Sequence, residues 1–165
     1  MTAVVRPAPL EPRPYQFPRF HRSRLPNGVQ LVVAPVPKLP IATVIALVDP
    51  GVVCDASGQE GIAQLTADLL LEGTLTNSAI ELTERFERLG ASVEASTDWD
   101  SAAFSVTALT EHLGAAIALL GELLRTPSFP PREVERLKKE RQAELLQLRA
   151  EPPGLADEMF APFLY

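Results

Sequence analysis

An unbroken apolar run, "IATVIALV" (Ile41–Val48), is the feature that most restricts how this chain can fold. Its length suits a strand and is too short for a helix that spans a membrane. A strand that is apolar on both sides must be covered on both sides, so we expect Ile41–Val48 to be a central strand. The chain has 165 residues, enough to bury the core that such a sheet needs.

The sequence around this run predicts further strands. Asn27-Gly28 is a strong turn signal, and the segment after it, "VQLVVAPV", is rich in β-branched residues. Later in the chain, Val93–Thr97 alternates apolar with polar residues, and a turn is expected near residues 98–101.

Four helices are predicted between and after these strands. The first holds "GIAQLTADLLLEGT" (residues 61–74), and Ser78 with Glu81 has the spacing of a capping box at the start of the second. We expect Thr110 to cap the third helix and Pro131 to open a long, charged fourth helix. The order ββααββαα predicts an α+β fold, a mostly antiparallel sheet covered by helices.

The N-terminal segment differs from the rest of the chain. Five prolines between residues 7 and 18 exclude a helix or a central strand there. We therefore expect residues 1–23 to form a proline-rich arm and residues 24–165 to form one domain. The apolar ending, from Met159 to Tyr165, predicts a face that another chain covers.

Charge and composition restrict the binding partners and the cellular location that we expect. A net charge of −6 gives no reason to expect binding to nucleic acid or to an anionic membrane. The N-terminus lacks the basic and apolar regions of a secretion signal, which favours a cytoplasmic location. We interpret the single cysteine, Cys54, as an ordinary thiol rather than a nucleophile, and both His21 and His112 as surface residues rather than ligands.

The predicted first helix carries polar residues in a pattern that suggests a metal site. Gln64 and Asp68 are four residues apart and therefore share one helix face, with Ala67 beside them. A catalytic zinc helix also places two ligands one turn apart, next to a carboxylate that takes a proton from metal-bound water. Here the candidate ligands are oxygens, which zinc does not favour, and Ala67 cannot accept a proton.

Four segments in order resemble the M16 peptidases, the family that includes pitrilysin, insulin-degrading enzyme and the mitochondrial processing peptidase. They are "RLPNGVQLVV", "GQEGIAQLTADLLLEGT", "GASVEASTDWDSAAFSV" and "PSFPPREVERLKKERQAELLQLRAEPP". The resemblance covers roughly residues 24–165. It implies the N-terminal domain of that family, and we expect this domain to be incomplete at its C-terminus.

The family motif, G-x-A-H-x-x-E-H with a later G-T, is matched here in its frame. Gly61, Ala63, Gly73 and Thr74 occupy the frame positions. The resemblance therefore implies the fold of a zinc peptidase over this part of the chain.

The catalytic positions of the same motif depart from the family. Gln64 and Asp68 replace the two histidines, and Ala67 replaces the glutamate that acts as general base. The third zinc ligand of the family maps onto Glu144, which is acidic here. The resemblance thus implies no catalytic residue and no bound zinc, with Asp68 and Glu144 as weak metal candidates.

Both weak candidates also have ordinary structural interpretations, which we favour. Asp68 is suited to pair with a basic residue or to cap a backbone group. Glu144 follows Arg141 by three residues, the spacing of an ion pair on a solvated helix face.

The resemblance also implies a peptide-binding edge and partner domains. Extended substrates of the family add as a strand beside the zinc helix, at an edge that maps onto Glu94, Ala95, Ser96 and Thr97. An ordinary strand is the alternative there. Family members work as paired domains, of which one can lack zinc.

We therefore expect a non-catalytic subunit that is structural or holds extended peptides. Its expected partner is a second copy or a catalytic M16 homologue. Two alternatives stay open: a metal-dependent peptidase that uses Asp68 and Glu144, and a domain that serves assembly alone.

Overall fold

The computed structural model of the chain describes residue 14 and residues 16–49 and 51–164. The chain divides between Leu39 and Pro40 into two compact units. Residues 1–13, most of the predicted arm, lie outside the described residues. None of the described helices is long and apolar enough to cross a membrane.

The first unit contains an antiparallel hairpin of β1 (His21–Arg24) and β2 (Gln30–Val33). The predicted turn at Asn27-Gly28 is confirmed: Gly28 has a φ of 90°, and the Leu25 amide donates to the Val29 carbonyl at 2.8 Å. The arm was predicted to reach residue 23, but β1 already begins at His21. Residues 19–25 contain no proline, so this stretch is able to form ladder hydrogen bonds.

The second unit is built on a three-stranded antiparallel sheet. Its strands are β3 (Ile41–Val48), β4 (Ser92–Thr97) and β5 (Ala102–Leu109), in the order β3-β5-β4. The hairpin between β4 and β5 turns at residues 98–101, as predicted, with the Asp98 amide donating to the Ser101 carbonyl at 2.8 Å.

The prediction that Ile41–Val48 is the central strand was wrong. In the sheet that the structure describes, β3 is an edge strand and β5 is the centre. Ile45 and Leu47 are exposed, whereas Ala46 and Val44, on the opposite face, are half-buried. An apolar run favours burial of a strand, but the strand order of the sheet decides which strand has two neighbours.

Within the described residues, five α-helices accompany the sheet, and the predicted α+β fold is confirmed. They are α1 (Ile62–Leu70), α2 (Ala79–Arg88), α3 (Leu113–Arg125), α4 (Pro131–Ala150) and α5 (Pro152–Leu164). The capping box at the start of α2 is present, since Ser78 and Glu81 bond each other's backbone amides. The core lies between α1, α2, α3 and one face of β5, and its buried side chains include Phe86, Phe104, Val106, Leu120 and Leu123.

Thr110 does not cap the third helix. Residues Thr110–His112 form a 3₁₀ turn instead, and α3 begins at Leu113 without a side-chain cap. The Thr110 amide donates to the Pro40 carbonyl at 2.9 Å, beside the start of β3. This bond keeps Thr110 tied to the sheet, so the helix starts only after it.

A carboxylate on α3, that of Glu122, joins α1, α2 and α3. Its Oε1 accepts hydrogen bonds from the Thr74 and Thr76 hydroxyls, each at 2.7 Å, and from the Asn77 amide. Its Oε2 pairs with the Arg85 guanidinium of α2 at 3.1 Å. The loop from α1 to α2 is therefore fixed to α3 by one half-buried side chain.

These contacts change the acidity of Glu122. Hydrogen bonds from Thr76 and Thr74 favour the ionised form and, with smaller contributions from Asn77 and Arg85, lower its pKa from 4.5 to about 2 despite partial burial.

The loop after β3 docks on the turn between β4 and β5. The amides of Val52 and Val53 donate to the carbonyls of Asp98 and Trp99 at 3.1 and 3.0 Å. Gly51 is buried against this turn, where a Cβ would lie 2.2 Å from the Asp98 carbonyl oxygen. Since that neighbour is backbone, only glycine fits without moving the loop that leads into α1.

We predict that Gly51→Ala lowers the free energy of unfolding by about 3 kcal/mol, because the added methyl overlaps backbone atoms. Gly121→Ala is the control: Gly121 lies inside α3 with no atom within 4 Å of an added Cβ. That variant should gain about 0.5–1 kcal/mol. Urea unfolding followed by circular dichroism measures both, and a Gly51→Ala protein as stable as the parent would contradict the docking.

We predict that Glu122→Gln destabilises the fold by about 2 kcal/mol at neutral pH, since it removes a charge that accepts several hydrogen bonds. The pKa of Glu122 is lower in the folded chain than its ordinary value of 4.5. Its contribution is therefore fully present above about pH 4.5 and is lost as the pH falls toward 2.

Unfolding curves from pH 7 to pH 2 test this. The parent should lose stability below pH 4.5 more steeply than Glu122→Gln, and Glu111→Gln, at an exposed position of the 3₁₀ turn, should behave like the parent. Parallel curves for parent and Glu122→Gln would show that the carboxylate does not hold these helices together.

Candidate functional site

The start of α1 is held by a carboxylate from the preceding loop. Gly61 takes the N-cap position with a φ of 94°, a conformation that glycine adopts readily. Because Gly61 has no side chain to cap the helix, Asp55 does so: its two oxygens accept the amides of Gly61 at 2.7 Å and Ala63 at 3.0 Å. A negative charge at a helix N-terminus is also favoured by the helix dipole.

The chain reversal after α1 also depends on particular residues. Gly73 has a φ of 134°, and a Cβ there would lie 3.2 Å from the Asn77 carbonyl oxygen. Thr74 is buried and donates its hydroxyl to Glu122. The Gly-Thr pair of the motif therefore stabilises the turn of the chain after α1.

Gln64 and Asp68 face each other on α1 and are bonded together. The Gln64 side-chain amide donates to both carboxylate oxygens of Asp68, at 3.1 and 3.3 Å, and both side chains are half-buried. The sequence suggested a basic residue or a backbone group as the partner of Asp68; the partner in the structure is the neighbouring glutamine.

Ala67, between them along the helix, is 1% exposed and belongs to the core. Beside it lies a pocket of about 290 Å³ whose wall includes Ala63, Ala67, Cys54 and Asp55. Asp55 is occupied by the helix start, and the lining residues include no histidine that would activate the exposed Cys54. The wall is otherwise mainly apolar and offers no proton acceptor at position 67.

Glu144 lies on α4, whose second half is exposed along its whole length. Its carboxylate accepts a hydrogen bond from Arg141 at 2.9 Å, and the side chain is 55% exposed. This is the ion pair that the helical spacing predicted.

The residues at the zinc positions do not fit a zinc ion. They offer only oxygen donors, and the Asp68 oxygens already accept the Gln64 amide. Within residues 14, 16–49 and 51–164, no group of three or more His, Cys, Asp or Glu side chains is placed to hold a metal. Asp68 and Glu144 as weak metal ligands stay a prediction.

The predicted peptide-binding residues Glu94, Ala95, Ser96 and Thr97 belong to β4. This strand pairs with β5 on one side only, so its other edge is open in the described sheet. The strand also packs against α1. Ala95 and Thr97 are half-buried, and Glu94 and Ser96 are exposed. Peptide binding at this edge stays a prediction.

Two residues that matter most for the shape of the site were missed in the sequence. Asp55 lies six residues before Gly61, at the start of α1. Glu122 lies 48 residues after Thr74, a residue of the loop that follows α1. Asp55, in a loop just ahead of the glycine that opens α1, gave a weak signal. Glu122 gave none, because its partners come together only in the folded chain.

Comparison with known proteins agrees with this geometry. Residues 32–162 match the model of the insulinase family (peptidase family M16). A probable mitochondrial-processing peptidase subunit beta of Schizosaccharomyces pombe is 28% identical, over 90% of this chain and 32% of that protein. A Helicobacter pylori protein named non-peptidase homolog YmxG is 32% identical, over 62% of this chain and 25% of that protein.

A solved structure has the same fold. It is the peptidase M16 inactive domain from Pseudomonas fluorescens, with a TM-score of 0.79 and 23% identity over 84% of this chain and 34% of that one. This chain thus spans about a third of the length of the proteins it matches. With most of its length matched by the family model, the chain belongs to peptidase family M16, the insulinase family.

Proposed function

We propose that this chain is a non-catalytic M16 domain that serves a peptidase assembly as a structural or peptide-holding subunit. The observation that carries the proposal is the set of side chains at the three motif positions of α1. Ala67 is buried in the core where the family has its general base, and Gln64 is bonded to Asp68 where the family has histidines.

The chemistry of these side chains supports the absence of catalysis. Losing a positioned general base costs about 10²–10⁴-fold in rate. The Gln64 amide nitrogen occupies one site on each Asp68 oxygen, and the candidate ligands are all oxygens, whereas zinc prefers nitrogen and sulfur. Because the two defects are independent, restoring either one alone would not restore turnover.

The related proteins support the same interpretation. One relative is named a non-peptidase homolog, and the similar solved structure is named an inactive domain. Another is named as a subunit of a processing peptidase, which supports a role beside other chains. The proposed partner is accordingly a catalytic M16 homologue or a second copy of this chain.

The open edge of β4 supports peptide holding. An extended peptide that adds to a sheet edge gains backbone hydrogen bonds without any catalytic group. The β4 edge lies beside α1, so a peptide there would run past the motif face. A metal-dependent peptidase that uses Asp68 and Glu144 is the alternative enzyme, and pure assembly is the alternative without peptide contact.

We predict that the purified chain neither binds zinc measurably by calorimetry nor cleaves a mixed pool of unstructured peptides with zinc added. Ala67→Glu supplies the missing carboxylate and should still give no turnover, since there is no metal for it to assist. Zinc-dependent cleavage that disappears in both Asp68→Ala and Glu144→Ala would establish the enzyme instead.

We predict that titration with unstructured peptides shifts the backbone amide NMR signals of Val93–Thr97, because a strand added at β4 pairs with this backbone. The signals of β5, whose backbone is paired on both sides, serve as the internal control. If no β4 amide shifts at millimolar peptide, the chain does not hold peptides and assembly alone remains.

A further inference from the structure

The segments that form α1 and the sheet of the second unit carry no positive charge. Residues 39–84 and 89–124 contain no lysine or arginine, but they contain twelve aspartates and glutamates. These segments supply β3, α1, β4 and β5. The basic residues lie in the N-terminal unit, at the ends of α2 and α3, and on α4. The strand β4 and the helix α1 therefore have acidic side chains but no cations of their own, whereas α4, which also packs against α1, carries both signs of charge.

Asp68 differs from the other half-buried carboxylates of the described chain. Glu122 is paired with Arg85, and both Glu72 and Glu133 are paired with Arg136. The fifth, Asp55, accepts two backbone amides at the start of α1. Asp68 has only the neutral amide of Gln64, and none of the described ion pairs includes it.

This arrangement leaves acceptor capacity unused. A carboxylate has about four lone-pair sites, and the Gln64 amide occupies one on each oxygen through bonds of 3.1 and 3.3 Å. A half-buried charge without a cation is costly compared with a paired one. The site is therefore able to accept a cationic donor without displacing a protein group.

Asp68 lies on a flank of α1 that faces away from the pocket. Ala63 and Ala67 line the pocket beside the ends of β3 and β5, whereas Gln64 and Asp68 do not line it. The helix α1 packs against both β4 and α4, and Glu72, one turn after Asp68, pairs with Arg136 of α4. On β4, the hydroxyl oxygen of Thr97 is buried and has no hydrogen-bond partner in the described part of the chain.

We propose that Asp68 binds the guanidinium or ammonium group of an arginine or lysine side chain in an extended peptide whose backbone pairs with β4. The assignment rests on the proposed peptide-holding function and adds its specificity. Gln64 contributes by orienting the carboxylate, and the planar guanidinium suits two carboxylate oxygens better than an ammonium does. The former zinc-ligand position thus selects basic peptides.

Fluorescence anisotropy with two labelled ten-residue peptides tests this on the whole chain. The peptides are identical and uncharged except at one central position, which is arginine in one and citrulline, its neutral counterpart, in the other. The arginine peptide should bind about tenfold more tightly at low salt, and the difference should shrink as ionic strength rises. Asp68→Asn, which keeps the size of the side chain, should remove the preference for arginine over citrulline.

The control variant is Asp157→Asn, which removes the same charge from an exposed position on α5. It should keep the full preference for arginine. Equal binding of both peptides to the parent, or a preference that survives Asp68→Asn, would overturn the assignment to Asp68 while leaving peptide holding intact. Failure of both peptides to bind at millimolar concentration would overturn the peptide-holding function itself. The two-peptide comparison uses the unaltered chain, so equal binding would overturn the proposal even if Asp68→Asn folds poorly.

Discussion

The hydrogen bonds to the Glu122 carboxylate are the contacts on which the helical layer depends. Thr74 and Asn77 in the loop after α1, and Arg85 on α2, all reach this one side chain of α3. The helices pack on the sheet through apolar side chains, and the hydrophobic effect that favours this packing is not directional. The directional bonds to Glu122 fix the loop that follows α1, and Asp55 fixes the start of α1. The helix that carries Gln64 and Asp68 is therefore held at both ends.

Local signals predicted most of the elements of this fold. The turn at Asn27-Gly28, the capping box at Ser78 and Glu81, and the long helix from Pro131 each depend on residues within a few positions of one another. The errors arose where distant pairing decides. Ile41–Val48 became an edge strand because β5 took the central place, and Thr110 failed as a cap because its amide is bonded to Pro40.

The site was predictable in position but not in its contacts. The spacing of Gln64 and Asp68 correctly placed them on one face of a helix, and the i, i+3 spacing of Arg141 and Glu144 correctly gave an ion pair. The sequence could not show that Asp68 would be satisfied by its own neighbour, since several partners were compatible with the spacing. Nor could it show the role of Glu122, whose partners are 37 to 48 residues away.

The residues that this chain shares with the family motif are those with a structural task. Gly61 needs its positive φ to begin α1, Gly73 needs one to leave it, and Thr74 is held by Glu122. The positions that differ need no particular backbone conformation: Gln64 and Asp68 bond each other, and Ala67 contributes a small side chain to the core. Selection for folding alone is therefore enough to retain the frame, and the frame by itself is no argument for catalysis. A role beyond folding is indicated by a different kind of feature, the half-buried Asp68 carboxylate, which none of the described ion pairs includes.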